Sequence, residues 1–255
     1  MNHYNAGMLR GVLFDLGSTL IHTAHDLNWA LTLNRMRADL LAQLQAEGYG
    51  LDPAAFHAGF AERVRAFDEQ RQTDWVEYTA AYILSATLEA LGAPPPSPKL
   101  VARALAAYYA YSESLWQPVP GLHATLDALR ASGLRLGLIS NAGDAANVER
   151  LIQRAGLAGV FDPEIISARA GLRKPNPAIF QLALRAWALP PDEVVMVGDT
   201  LGADILGAQL AGLHNIWLTA HAGQPSNLAH RGNIIPELEI AALEELPAAL
   251  ARWLA

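Results

Sequence analysis

The chain contains no cysteine. That excludes disulfide staples, thiolate nucleophiles and zinc–thiolate centres. Lysine is nearly absent as well: Lys99 and Lys174 stand alone, and arginine supplies the remaining basic charge. Acidic residues outnumber basic ones 25 to 18, for a net charge of −7, and no basic cluster interrupts them. A nucleic-acid surface needs the opposite balance, so no nucleic-acid partner is expected. No stretch approaches the ~18 uninterrupted apolar residues of a membrane span, and residues 1–8 are polar without the apolar centre of a signal peptide. The expectation is a cytoplasmic protein with no membrane partner. Internal repeats and low-complexity segments are missing too.

What is present is apolar sequence. The 255 residues are 52% hydrophobic, enough for one large core or for a core with a subordinate domain. The stretch that organises the rest is residues 10–21. Val12-Leu13-Phe14 shows no polar alternation, as expected of a strand buried on both faces. It stops on Asp15, and a Gly17-Ser18-Thr19 turn follows. In an open α/β sheet the reactive crevice lies beyond the carboxyl ends of the strands. A carboxylate there suits a nucleophile or a metal ligand; the plainer reading is an Asp that shapes the turn.

After Ile21 the texture becomes helical. Leu27, Leu31, Leu40 and Leu44 recur at helical spacing until Gly48-Tyr49-Gly50. Asp52-Pro53 supplies an N-cap and a first-turn proline for a second helix. A third spans residues 78–91, a stiff Pro94-Pro95-Pro96 connection follows, and a fourth spans about residues 100–115. Residues 23–116 therefore read as an all-helical domain inserted into an α/β domain made of residues 1–22 and 117–255. In that second part, strands are expected at residues 134–139, 165–166, 194–197 and 215–218, with a weak sixth at residues 233–235. Helices alternate with them, one begun by Asn176-Pro177, one over about residues 203–211 and one closing the chain through Trp253. The fold class is α/β: a Rossmann-like parallel sheet with helices on both faces, plus the helical insert.

Three of these strands end on polar groups: Asp15, Ser140-Asn141 and Asp199. Lys174 sits on a loop leading into a helix. Parallel strands bring such ends to one edge. Carboxylates with Mg²⁺, one lysine, and a hydroxyl beside free backbone N–H groups suit phosphoryl transfer. Taken singly, Ser140-Asn141 reads as a helix cap, Lys174 as a solvated cation, and Asp199 and Asp204 as turn and cap residues. Together, the plain readings require four coincidences.

The chain resembles the haloacid dehalogenase (HAD) superfamily, in the subfamily with a helical cap between the first and second motifs. The matching segments are Phe14-Asp15-Leu16-Gly17-Ser18-Thr19-Leu20, Leu138-Ile139-Ser140-Asn141, Arg173-Lys174-Pro175-Asn176-Pro177, and Gly198-Asp199-Thr200 through Asp204. Pro118-Val119-Pro120-Gly121 and Gly207-Ala208 match as well, whereas the cap matches only in length and helicity. The resemblance implies that Asp15 is the nucleophile and becomes an aspartyl-phosphate, and that Ser140 and Lys174 bind the phosphate. It also implies that Asp199 ligates Mg²⁺ together with Asp15 and the backbone carbonyl of Gly17, with Asp204 assisting around the metal. Ser18, Thr19, Asn141 and His22 are the further candidates for touching substrate, with His25 beside them on the expected flap.

One departure bears on the chemistry. The superfamily's phosphatases usually carry a second Asp two residues after the nucleophile, as general acid and base. Here Gly17 holds that place, and Ser18 replaces the usual glycine after it. Loss of such a group costs ~10²–10⁴ in rate. A glycine there also raises the expectation of a backbone angle closed to Asp. The expected function is a Mg²⁺-dependent phosphohydrolase acting on a small phosphorylated metabolite, as monomer or homodimer. The alternatives are a metal-independent 2-haloacid dehalogenase and a weakly active binding or regulatory protein. Dehalogenases of this kind likewise lack the second Asp, but resemble one another in a non-acidic residue at the position of Asp199. A phosphonatase wants a cap lysine for a Schiff base, and only Lys99 is on offer. Trp29, Trp75, Tyr78 and Trp116 are candidates for lining a pocket or, more plainly, for core packing.

Overall fold

A computed structural model describes residues 8–24 and 27–254, with only the backbone of Arg252. His25 lies outside the described residues. The chain opens on β1 (Gly11–Phe14) and the short β2 (Ile21–His22), then runs through α1 (Trp29–Ala46), α2 (Pro53–Asp74), α3 (Ala80–Ala90) and α4 (Pro98–Glu113). It returns through β3 (Gln117–Pro118), which pairs antiparallel with β2. Then come α5 (Leu122–Ala131), β4 (Arg135–Ser140), α6 (Ala145–Arg154), β5 (Glu164–Ile166), α7 (Ser167–Ala170) and α8 (Pro177–Trp187). The chain finishes with β6 (Val194–Gly198), α9 (Leu206–Ala211), β7 (His214–Leu218), α10 (Pro225–Leu228), β8 (Leu238–Ile240) and α11 (Leu246–Leu254).

Six strands form one parallel sheet in the order β5-β4-β1-β6-β7-β8. β1 is central, with Phe14 opposite Leu138 on one side and Val197 on the other. Its side chains alternate between two cores, as a pleated strand requires. Val12 and Phe14 join Leu136, Leu138, Val195 and Val197 beneath the apolar faces of α5, α6 and α11. Leu13 joins Ile139, Val194 and Met196 against α8 and α9. Burial on both faces is why these strands read as unbroken apolar runs.

The helices α1–α4 have a separate core, in which Met36, Leu40, Leu44, Phe56, Phe60, Leu84, Leu88 and Leu105 are buried. Local chemistry sets their starts: Asn28, Asp52, Thr79 and Ser97 each accept a hydrogen bond from a first-turn N–H, and Pro53 and Pro98 open two of the helices. The leucine spacing expected for α1 holds only in part. Leu40 and Leu44 are buried, but Leu27 precedes the helix and Leu31 is exposed, because the inward stripe starts at Thr32 and Met36.

Two further expectations need correction. The sixth strand is Leu238–Ile240, not residues 233–235. Asn233 and Ile234 both donate to the His230 carbonyl in a turn, which drops Ile234 into a small cluster with Leu201, Ile205 and Trp217 and leaves Ile235 exposed. Ile234 thus plugs a gap rather than pairing with the sheet. The helix after β6 begins as a π-type turn at Leu201–Ile205, two residues earlier than expected. Among the described residues, no helix is long and apolar enough to cross a membrane.

Candidate active site

The carboxyl ends of β4, β1 and β6 lie side by side, so Ser140, Asp15 and Asp199 come to one edge of the sheet. Lys174 joins them from the β5–α8 side. Asn141 places it there: its carboxamide accepts from Lys174 N at 2.8 Å and donates to Lys174 O at 2.9 Å. The loop is then stopped by α8, whose N-cap is Asn176 and whose first residue is Pro177. Lys174 is not a solvated cation. Its side chain is 1% exposed, with Nζ 2.6 Å from Asp15 Oδ1, 2.7 Å from Asp204 Oδ1 and 2.6 Å from the Ile139 carbonyl.

Asp204 comes from the π-type turn after β6. Its Oδ2 accepts from Thr200 N at 2.9 Å, and a Cβ on Gly198 would lie 2.3 Å from its Cγ. Gly198 is therefore the residue type that lets this carboxylate pack against the end of β6. One oxygen from each of Asp15, Asp199 and Asp204 lies within 4.8 Å of the others. Three buried or half-buried carboxylates face one buried ammonium, so the donor set is hard oxygen with excess negative charge. That set fits a small hard cation such as Mg²⁺.

The electrostatics follow from this crowding. Burial, then the like charges of Asp15 and Asp204, pushes Asp199 up to about 8. Burial pushes Asp15 up to about 6 against the opposing pull of Lys174. Lys174 is itself fully buried, which disfavours its charge, yet Asp15 and Asp204 outweigh burial and hold it above the ordinary lysine range. Unfolded carboxyls titrate near about 4. Between about 4 and about 8 the folded, metal-free chain holds protons that the unfolded chain has released. Its stability therefore falls as pH rises through that window. A Mg²⁺ ion held by these carboxylates would replace the protons with fixed positive charge and flatten the slope, and Asp199→Asn is expected to remove most of it. Urea midpoints across the window, with chelator and with Mg²⁺, measure this. A midpoint that climbs with pH in chelator contradicts it.

These groups line a cavity of about 480 Å³ together with Gly17, Ser18, Ser140 and Asn141 on the sheet side. Trp29, Leu33 and Met36 of α1, Tyr109 of α4 and Trp116 line it from the helices. Thr19 is fully buried under the turn, and neither it nor His22 is among the lining residues. Trp75 and Tyr78 are not among them either; the Tyr78 ring stacks on Phe67 and its hydroxyl donates to Asp74. The backbone expectation at Gly17 is corrected. Its φ lies outside the left-handed region, and a Cβ there would meet only the Trp116 ring at 3.6 Å, an ordinary contact. The left-handed residue is Ser18, at φ 61°.

Two groups escape the sequence. Asn227 is fully buried and donates to the Asp199 carbonyl at 2.9 Å while accepting from Leu201 N at 2.8 Å, and Trp217 Nε1 donates to the same carbonyl. Together they hold the turn that carries Asp199. Glu77, between α2 and α3, accepts from Ser167 Oγ at 2.8 Å, and Ser167 Oγ accepts from Ala142 N at 2.8 Å. Glu77 N donates to the Gly171 carbonyl and Arg173 N to the Trp75 carbonyl. The helical segment is thus tied to both loops that carry Asn141 and Lys174. No local signal marks either group, since each depends on partners far along the chain.

The profile of a family described as haloacid dehalogenase-like hydrolase matches residues 9–212. A glyceraldehyde 3-phosphate phosphatase of Methanopyrus kandleri is 31% identical over 240 residues, covering 94% of this chain and 96% of its own. Another protein of that name, from Methanothermobacter thermautotrophicus, is 32% identical over 82% of this chain and 85% of its own. Among solved structures, a 2-haloacid dehalogenase of Pseudomonas syringae superposes with a TM-score of 0.69 at 29% identity, covering 96% of this chain and 100% of its own.

Proposed function

This chain belongs to the haloacid dehalogenase-like hydrolases, and we propose that within that family it is a Mg²⁺-dependent phosphatase acting on a small phosphorylated metabolite. The observation that carries the reading is Lys174, buried between Asp15 and Asp204 at the end of the central strand. A buried ammonium beside a candidate nucleophile suits a substrate that brings its own negative charge. Relatives that match along almost their whole length and are named phosphatases point the same way.

In this reading Mg²⁺ is held by Asp15, Asp199 and the Gly17 carbonyl, with Asp204 steadying the set, and supplies positive charge against the phosphate oxygens. An Asp15 oxygen attacks phosphorus and becomes an aspartyl-phosphate, which water then opens. Lys174 balances charge on the transferring group, and Ser140 holds one of its oxygens. Asn141 acts through Lys174, whose backbone it grips on both sides. Residues 23–116 serve as a cap that closes the cavity from the helical side and selects the substrate.

A dehalogenase is the second reading, supported by the Pseudomonas syringae structure and by the missing acid at Gly17. The buried carboxylate of Asp199 weighs against it, because a metal-free reaction on a carboxylate substrate gains nothing from extra negative charge. A panel of phosphomonoesters and 2-haloacids, assayed with Mg²⁺ and with chelator, separates the two. The phosphatase releases phosphate only with Mg²⁺. Halide release that persists in chelator overturns the proposal in favour of the dehalogenase.

A further inference from the structure

Two features of the cavity converge on the group that leaves phosphorus. No side chain at Gly17 can give a proton to a departing oxygen. The space that such a side chain would enter is faced by Trp116, whose Cη2 lies 3.6 Å from a Cβ placed on Gly17. The indole therefore stands against Gly17, two residues past Asp15, on the side where the phosphatase reading puts the leaving group. Trp29 continues this surface, with its ring centroid 6.1 Å from that of Trp116 at an interplanar angle of 49°. Leu33 and Met36 extend it along α1 at helical spacing. The cavity's negative charge is gathered at the strand ends, and Arg173, which also lines it, answers Glu77 at 3.6 Å. Tyr109, Ser112 and Asn147 add polar groups to the lining, but hydroxyls of a sugar or polyol placed on the surface of Trp116, Trp29, Leu33 and Met36 would be desolvated without replacement hydrogen bonds.

Resting on the phosphatase reading above, we propose that the substrate is a phosphate monoester of a phenol-type aromatic alcohol, whose ring is bound by Trp116 and Trp29. An aryl oxide is stable enough to depart without a proton, so the group missing at Gly17 is not needed. An Asp15 oxygen forms its bond to phosphorus as the bond from phosphorus to the aryl oxygen breaks, and the electron pair leaves on that oxygen. Water then adds to phosphorus, the bond to Asp15 breaks, and its electron pair returns to the carboxylate. Aryl phosphate dianion and water give aryl oxide and dihydrogen phosphate, with both water protons on the phosphate product.

The test compares kcat/KM for phenyl phosphate, acetyl phosphate and glycerol 1-phosphate at saturating Mg²⁺, in wild type, Trp116→Ala and Trp29→Ala. Acetyl phosphate has an easily departing group and no ring, so it separates ease of departure from ring recognition. Wild type is expected to prefer phenyl phosphate over glycerol 1-phosphate by ~10²–10⁴. Each tryptophan variant is expected to lower the phenyl-to-acetyl ratio by ~10-fold, chiefly through KM. Trp116 is half-buried, so if its variant fails to fold, Trp29, 41% exposed in the first turn of α1, carries the test. Equal kcat/KM for phenyl and glycerol phosphates, or a phenyl-to-acetyl ratio unmoved in the folded variants, overturns the aromatic substrate and leaves the phosphatase standing. No phosphate from any of the three overturns the aromatic substrate, and the wider panel of phosphomonoesters and 2-haloacids then decides the phosphatase reading.

Discussion

Asp15→Asn is expected to reduce phosphate release by on the order of 10⁴ or more while leaving the chain folded. An amide oxygen at that position cannot form the acyl bond to phosphorus and then be expelled as a carboxylate. The fold is expected to survive because the substitution removes one negative charge from a cluster that already has too many. Lys174 keeps Asp204 at 2.7 Å and the Ile139 carbonyl at 2.6 Å, so its ammonium is not stranded. Single-turnover phosphate release, with intact-mass detection of covalent phosphate, reads the loss. Thermal unfolding beside wild type reads the fold. A variant that turns over at the wild-type rate removes Asp15 as nucleophile.

Lys174→Met is expected to have the largest effect on stability. Removing the ammonium leaves Asp15, Asp199 and Asp204 facing one another with no protein cation among them. Stripping one partner from a buried ion pair costs about 3–5 kcal/mol, and the loss is expected in full when Mg²⁺ is chelated. Saturating Mg²⁺ returns part of it by binding only the folded state. Phosphate release falls by ~10²–10³, as when a fixed charge or donor facing the reacting group is deleted. Lys174→Arg is not expected to rescue either property, because a planar, wider guanidinium cannot occupy a pocket that leaves the present side chain 1% exposed. Urea midpoints of both variants, with chelator and with Mg²⁺, measure the effect. Wild-type midpoints for Lys174→Met in chelator would show that the carboxylates do not depend on it.

Much of this arrangement was legible because it is local or periodic. Val12-Leu13-Phe14 and Val194-Val195-Met196-Val197 read as doubly buried strands, and they are. Asp52-Pro53 and Asn176-Pro177 read as helix starts because a cap needs only its own first turn. Parallel strands carry Asp15, Ser140 and Asp199 to one edge whatever the loops do. The weak points lie where packing overrides pattern. Asn233-Ile234-Ile235 looks like an edge strand but is a turn whose Ile234 fills a gap beside Trp217. Four aromatic residues were equal candidates for the cavity, and only the path of α1 and the return of the chain at β3 choose Trp29 and Trp116. Asn227 and Glu77 were invisible because their partners lie 28 and 90 residues away.

The central position of β1 also has a bearing on how this chain is made. The strand leaves the ribosome before its neighbours in the sheet, β4 and β6, the nearer of which follows roughly 120 residues later. At typical synthesis rates of about 5–20 residues per second, that is a wait of about 6–24 s. During it, an apolar tetrapeptide with both edges unpaired is the segment most open to wrong partners. The four helices made in the interval bury their own apolar stripes against one another, so they need not wait for the sheet. The long insertion after β1 thus adds little of its own to the exposed apolar surface, but it lengthens the time for which the first strand remains without its pair.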